Sequence, residues 1–259
     1  MAVAATIAPS AMERLYRALE KPDPSYLLIS GLERDAKSLL STPNNAVGYV
    51  ILGMLDAISS RKTEFDKHFN FISAPGKPTM ADFPRINGLN RMGFFDEATE
   101  YLKQMLDSSK SIDNPYYLKA LAQIGMMYGF VDDAGSVIER LKRMESLEPG
   151  SQDELEKIYL LLKETSVSQA AMIDAVLAAK KLLAEKGLQI PCYSFGYSVE
   201  YDSFIELKML CFETNLDRLA EADEALSRLL VGMEKSVDES LLNLSISCRP
   251  YNPSYGIGG

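Results

Sequence analysis

The chain of 259 residues contains 47% hydrophobic and 24% charged residues, so it can bury a core in one large domain or two smaller ones. Its net charge of −9 argues against a nucleic-acid partner, because phosphate contacts need clustered Lys and Arg. The longest apolar run, residues 46–55, is too short for a bilayer, which needs about 20 residues. Three cysteines without metal-binding spacing indicate neither a zinc site nor a disulfide framework and favour a reducing cytoplasm.

Helix-capping residues divide most of the chain into helices. A capping residue followed by Pro predicts a helix start, because Pro suits the first helical position. Such pairs begin at Asp23, Thr42 and Asn114. Capping boxes, in which Glu or Gln follows a Ser by three residues, begin at Ser10, Ser151, Ser166 and Ser236. With apolar spacings of three and four, the predicted helices include 10–20, 24–41, 43–60, 63–73, 83–92, 152–165, 167–186, 199–213 and 216–235.

Three segments are predicted to be non-helical. A Pro-Gly-Lys-Pro sequence breaks the chain near residues 74–79, within what is expected to be one domain of residues 1–246. Residues 188–198 contain Pro, Gly and several aromatic side chains and are predicted to form a loop. Residues 247–259, rich in Pro and Gly, are predicted to form a disordered tail. No stretch alternates convincingly between apolar and polar residues, so no strand is predicted.

One pattern, Gly-Phe-x-Asp-acidic-Ala, occurs at residues 93–98 and again at 129–134, a spacing of 36 residues. Gly tolerates the left-handed conformation that ends a helix, the acidic pair suits the N-terminus of the next helix, and Ala lets two helices approach closely. Each copy therefore predicts the turn of a helix-turn-helix hairpin. A period in this range is typical of a helical repeat array.

Two stretches resemble known helical repeats. Residues 87–98 and the helix that follows resemble a pentatricopeptide repeat. A stretch beginning at Leu121, in the pattern Leu-x-x-Ile-Gly-x-x-Tyr, resembles the first helix of a tetratricopeptide repeat. The resemblance covers residues 82–145 and is weaker elsewhere. It implies an all-α fold, a right-handed α-solenoid of about six helix-turn-helix hairpins.

The two resemblances imply different partners. A tetratricopeptide-like array implies a protein or peptide bound in the groove lined by the first helix of each hairpin. A pentatricopeptide-like array implies single-stranded RNA, read one base per repeat. The matching code positions in this chain are Pro84, Ala120, Asn114 and Gly150, of which only Asn114 can read a base edge. We therefore expect a non-catalytic protein-protein interaction adaptor in the cytoplasm, with a degenerate single-stranded RNA-binding protein as the alternative.

Helical phase places several side chains outside the apolar stripes of the predicted first helices. These predicted partner-binding residues are Asn90, Lys119, Gln123 and Met126. The alternative for the methionine is a place in the core. A second candidate surface consists of the aromatic residues of the predicted loop, Tyr193, Phe195 and Tyr197. These aromatic residues either fill a seam between hairpins or anchor a partner.

The acidic residues concentrate in the last third of the chain. Residues 199–239 contain eleven acidic and four basic residues, a net charge of −7. A bound protein is therefore expected to present basic residues to this segment, where Glu221, Asp223 and Glu224 would meet them.

Neither catalysis nor a cofactor is predicted. His68 is the single histidine, and a lone His among aromatic residues is far more often structural than catalytic. One histidine cannot form a histidine metal cluster, so no metal is expected. The acidic pairs at 96–97 and 132–133 already have a structural reason as helix N-terminal charges, which argues against paired catalytic carboxylates.

Overall fold

The computed structural model describes residues 2–73, 79–144, 151–190, 192–197, 205–234 and 239–251. As predicted, these residues are mostly helical, and several pairs of consecutive helices pack on one another. The helices are α1 (Ala2–Leu19), α2 (Tyr26–Leu39), α3 (Asn45–Ile58), α4 (Lys62–Asn70), α5 (Asp82–Arg91), α6 (Phe95–Ser108), α7 (Pro115–Met127), α8 (Val131–Arg143), α9 (Ser151–Glu164), α10 (Gln169–Glu185) and α11 (Leu216–Glu234). Short 3-10 helices cover Ser109–Ser111 and Glu239–Asn243. The strands are β1 (Cys192–Tyr197), β2 (Ile205–Cys211) and β3 (Leu244–Pro250).

The prediction that the chain contains no strand is wrong. β1 occupies most of the predicted loop at 188–198, and β2 lies where the helix 199–213 was expected. β3 runs to Pro250, so the first residues of the predicted tail are part of a strand. β2 is the central strand of the described sheet and pairs antiparallel with β1 and parallel with β3.

The burial pattern of β2 explains why it is a strand. Leu207 and Met209 are buried and alternate with the half-buried Glu206 and Lys208, and the strand ends in the buried Leu210 and Cys211. This period of two fits a strand with one face in the core. Leu, Met, Glu and Lys favour helix when considered one residue at a time, but pairing on both edges outweighs that local preference.

The chain divides into two compact units, residues 1–98 and 99–259. In the first unit α3 is the central helix and packs against α1, α2, α4 and α5. Two glycines make close packing possible. A Cβ atom at Gly48 would lie 2.8 Å from the carbonyl oxygen of Ala36, and one at Gly53 would lie 2.5 Å from the ring of Phe69. Neighbouring helices therefore approach α3 more closely than a side chain at either position would allow.

In the second unit α7 packs against α8, α8 against α9, and α10 against α11. α11 also packs against β3 and against the 3-10 helix Glu239–Asn243, and β1 lies beside α7. α11 therefore connects the helix α10 to the sheet.

The two predicted glycine turns are confirmed. Gly93 and Gly129 have φ angles of +84° and +87°, in the left-handed region. The N–H of Gly129 donates to the carbonyl of Met126, and the N–H of Phe130 donates to the carbonyl of Gly125. This pair of bonds is the Schellman motif that ends many helices, and it recurs at Gly93.

Only some of the predicted helix starts are confirmed. Asn114 caps α7 as expected, because its Oδ1 accepts the N–H groups of Tyr116 and Tyr117 at 3.0 and 3.2 Å. The capping box at Ser10 is wrong, since α1 begins at Ala2 and continues through that residue. The Pro-Gly-Lys-Pro break and the start of the box at Ser236 lie outside the described residues.

The predicted capping box from Ser166 to Gln169 is also wrong, and its Gln has another role. α10 begins at Gln169 with Ser168 as its N-cap. The Oε1 atom of Gln169 accepts the N–H groups of Asp132 and Asp133, at 2.8 and 3.1 Å, at the start of α8. A side chain of α10 therefore satisfies donors that α8 itself leaves without an intrahelical acceptor.

Candidate functional site

The predicted partner-binding residues of α7 are divided between the surface and the core. Gln123 is exposed and Lys119 is half-buried, whereas Met126 is only 1% exposed. Met126 lies in the core, as the alternative interpretation expected, and its predicted contact with a partner is not tested. Met126 continues a buried row with Leu118 and Ala122, each four residues apart on the helix. The apolar face of α7 is thus wider than the single stripe inferred from the sequence.

Asn90 is a core residue at the first glycine turn. It is 8% exposed, and its Nδ2 donates to the carbonyl of Ile86 at 3.0 Å. The backbone carbonyl of Asn90 accepts the N–H of Gly93. The side chain of Asn90 is thus enclosed at the end of α5, and its predicted contact with a partner is not tested.

The aromatic residues Tyr193, Phe195 and Tyr197 belong to β1, not to a loop. Their backbone pairs with Met209, Leu207 and Ile205 of β2. Since β1 lies beside α7, the structure brings the two predicted binding regions near each other. The side chains of β1 are outside the described part of the chain, so their role as a seam or an anchor stays a prediction.

An aromatic surface that the sequence did not predict lies on α3 and α4. The ring of Tyr49 stacks on the ring of Phe71, just after α4, with centroids 4.9 Å apart, and the ring of His68 lies 6.1 Å from Tyr49. Phe71 is 63% exposed, while Tyr49 and His68 are half-buried. We refer to Tyr49, His68 and Phe71 as the α3–α4 aromatic surface. Aromatic residues are enriched at protein interfaces.

A buried carboxylate orients one member of this surface. Asp56 of α3 is 2% exposed, and its Oδ2 lies 2.7 Å from Nδ1 of His68. Its Oδ1 accepts a hydrogen bond from Nε of Arg61 at 2.9 Å and forms an ion pair with Nη2 of the same guanidinium at 2.6 Å. A buried carboxylate needs such partners to offset the loss of water. Asp56 therefore contacts both the imidazole of His68 and the guanidinium of Arg61 and limits their orientations.

The pair of Asp56 and His68 has the geometry with which a carboxylate orients an imidazole in hydrolytic triads. In the described part of the chain, however, no hydroxyl or thiol is hydrogen-bonded to His68. The same residues include no group of three or more His, Cys, Asp or Glu side chains placed to hold a metal ion. The contact with Asp56 fixes the orientation of His68 within the aromatic surface.

A buried lysine lies at the turn between α7 and α8. Lys180 of α10 is fully buried, and its Nζ lies 3.1 Å from the centroid of the Tyr128 ring, next to Gly129. Burial lowers the pKa of Lys180 well below its usual value. Because the amine is enclosed, Lys180 belongs to the core of this turn and does not contribute to a surface for a partner.

An open cleft at the end of α8 has a basic lining. Its lining residues are Lys110, Ser136, Arg140, Arg143 and Met144. The guanidinium of Arg140 already donates to the carbonyl of Ser109 and to the carboxylate of Asp113. Positive charges in the last turn of a helix also offset the helix dipole. These basic residues thus have a structural reason, and the cleft does not by itself indicate an anionic ligand.

One of the three acidic residues expected to meet a basic partner has a structural role. Asp223 of α11 accepts the N–H of Cys248 at 2.5 Å and forms an ion pair with Arg249, also at 2.5 Å. Glu221 and Glu224 are exposed on the same helix. Asp223 therefore connects α11 to β3, and the expectation that Glu221 and Glu224 meet a basic partner stays a prediction.

We expect Asp223→Ala to lower the free energy of unfolding by about 1–3 kcal/mol, because a buried N–H on β3 loses its acceptor. Glu221→Ala is the matched control on the same helix and should change the free energy by no more than about 0.5 kcal/mol. Chemical denaturation followed by circular dichroism measures both values. Equal effects of the two substitutions would contradict the structural role of Asp223.

No family model, curated protein or solved structure matches this chain. Its own fold and site therefore define its class. It is a mostly helical protein whose helices pack in neighbouring pairs, with a three-stranded sheet in the second unit. Among the described helices, none has both the length and the apolar character needed to cross a membrane.

Proposed function

We propose that this chain is a non-catalytic protein-interaction adaptor that binds another protein through the α3–α4 aromatic surface. The observation that carries the proposal is the stacked pair of Tyr49 and Phe71, with Phe71 63% exposed beside an oriented His68. A few aromatic residues supply much of the binding energy at protein interfaces. Side chains that are already held in place lose less conformational entropy on binding.

We further propose that the helices form hairpins stacked as a right-handed solenoid of about six repeats. The packing of α3 supports this architecture. It contacts its neighbours α2 and α4 and also the next-but-one helices α1 and α5. In a stacked array, the first helix of a hairpin contacts its own partner, the preceding partner and the first helices on either side.

Two further surfaces, both in the second unit, are assigned to the same function as separate contacts. Lys119 and Gln123 of α7 remain proposed contacts for a peptide, because neither is enclosed in the core. Glu221 and Glu224 remain proposed contacts for basic residues of the partner. The adaptor is proposed to act in the cytoplasm, because the three cysteines of the sequence lack the pattern of a disulfide framework.

Affinity capture with a single exposed ring removed tests this proposal. The wild-type chain, Phe71→Ala and Tyr26→Ala are immobilised separately and incubated with an extract of the source cells. Tyr26 is the matched control, because it is also a strongly exposed aromatic residue of the first unit, at 81%. We expect wild type and Tyr26→Ala to retain the same protein partner and Phe71→Ala to lose most of it. Replacing a residue that dominates an interface by Ala weakens the free energy of binding by about 2 kcal/mol or more.

Nuclease treatment of the same extract separates the two predicted partner classes. Binding of a protein partner should survive the treatment. If the captured material is lost with nuclease, the RNA-binding alternative is favoured and the adaptor proposal is wrong. If Phe71→Ala retains the partner as well as wild type does, the binding surface lies elsewhere, and Lys119 with Gln123 is the next pair to substitute.

A further inference from the structure

Two of the three cysteines, 37 residues apart in the chain, meet in the sheet of the second unit. Cys211 ends β2, and Cys248 lies in β3. Cys248 pairs with Met209 in the parallel register, so Cys211 is its diagonal neighbour on the same face of the sheet. The two Sγ atoms are 2.8 Å apart. A disulfide bond is about 2.05 Å long, so a small movement of the side chains would bring the sulfurs to bonding distance.

Backbone hydrogen bonds hold the two cysteines close to this arrangement. The N–H of Cys248 donates to Asp223 of α11, and the carbonyl of Cys211 accepts the N–H of Tyr251 at 2.7 Å. Both side chains are buried, at 0% and 1% exposure. The two Sγ atoms are therefore close together because β2 pairs with β3. They are not exposed thiols that meet only when flexible side chains happen to turn toward each other.

We propose that Cys211 and Cys248 form a redox couple that converts between a dithiol and a disulfide, with a small-molecule disulfide such as glutathione disulfide as the oxidant. One thiolate attacks glutathione disulfide, forms a mixed disulfide and releases one glutathione thiolate. The second cysteine thiolate then attacks the protein sulfur of that mixed disulfide and releases the second glutathione. The protein loses two protons and two electrons, and glutathione disulfide gains them as two molecules of glutathione.

The bond would connect the central strand of the sheet to β3 and close a loop that contains α11. Cross-linking residues this far apart restricts the unfolded chain and stabilises the fold. β3 lies at the edge of the described sheet, so local opening of this strand is the route by which glutathione reaches the buried sulfurs. The oxidised form should therefore appear slowly and, once formed, should resist unfolding.

The test equilibrates the fully reduced, full-length chain in glutathione buffers of increasing oxidising strength until the composition stops changing. Remaining thiols are alkylated under denaturing conditions, and the intact mass and the peptide map are measured. We expect a species that has lost two hydrogen atoms, carries one alkyl group on Cys192 and contains a peptide linkage between Cys211 and Cys248. The midpoint of its thermal unfolding should rise by about 5–10 °C over the reduced form.

Two variants serve as controls. Cys192→Ser should form the same internal disulfide with no alkylated cysteine left, whereas Cys248→Ala should lose it together with the rise in melting temperature. The proposal is overturned if wild type keeps three alkylatable thiols in the most oxidising buffer, or if only glutathione adducts form. It is equally overturned if the mapped disulfide contains Cys192. Because the decisive measurement uses the wild-type chain, poor folding of a variant does not affect it.

Discussion

Replacing Gly129 by Ala should lower the free energy of unfolding by about 2–5 kcal/mol, whereas the same change at Gly93 should cost about 1–2 kcal/mol. Both glycines have φ angles near +85° in the left-handed region, at +84° and +87°, so the conformational penalty is shared. The surroundings differ. A Cβ atom at Gly129 would lie 2.6 Å from the backbone nitrogen of Ile173 and 2.7 Å from the carbonyl carbon of Met172, but one at Gly93 would have nothing within 4 Å.

The two expected costs differ because α10 packs on the turn at Gly129. Ile173 and Met172 belong to α10, and backbone atoms cannot move aside as the end of a flexible side chain can. Urea denaturation of wild type, Gly129→Ala and Gly93→Ala measures the two costs under identical conditions. Equal losses for the two variants would show that α10 does not pack on the turn at Gly129 and that only the backbone conformation matters.

Replacing Lys180 by Met should raise the free energy of unfolding by about 1–3 kcal/mol at pH 7, the scale found for burying a polar group in a protein. Lys180 is fully buried, and burial holds its pKa well below the usual value. The methionine side chain fills a similar volume and has no charge to lose. The exposed neighbour Lys181 is the matched control, and Lys181→Met should change the free energy by no more than about 0.5 kcal/mol.

The advantage of Lys180→Met should depend on pH with a definite sign. Between the lowered pKa of Lys180 in the folded chain and its value of 10.5 in the unfolded chain, only the unfolded chain binds the proton. The stability of wild type relative to the variant therefore rises with pH across that window. Above pH 10.5 the amine is neutral in both states, and this contribution vanishes. Denaturation curves of both proteins at intervals from pH 7 to pH 10 should show the gap in stability narrowing above the lowered pKa, and a gap that stays constant up to pH 10 would contradict the lowered pKa.

Local sequence patterns predicted the structure correctly where it depends on only a few neighbouring residues. The cap at Asn114 and the left-handed turns at Gly93 and Gly129 were predicted correctly, because each depends on side chains and φ angles within a few residues. The helical class was predicted for the same reason. The capping box at Ser166 failed because the Oε1 atom of Gln169 accepts N–H groups of α8, 36 and 37 residues away in the chain.

The strands were missed because the alternation of apolar and polar residues in each of them covers only a few residues. Leu244, Ile246 and Cys248 are buried apolar residues of β3, and Ser245 and Arg249 lie between and after them. The sequence of such a short segment is equally compatible with a tail or with part of a helix. Their strand conformation depends on partners supplied by β2, and such pairing between distant segments is a tertiary interaction.

The candidate site divides in the same way between sequence and tertiary structure. The sequence by itself determined that this protein is built mainly of capped helices joined by glycine turns, since these features depend on short-range backbone geometry. One clue to the site was also present, because Asp56 is the single charged residue between Val47 and Ile58 and such a residue needs partners when buried. Only the tertiary structure decided that those partners are Arg61 and His68, and that Cys211 meets Cys248. These contacts depend on how separate elements pack, which no periodicity within one element specifies.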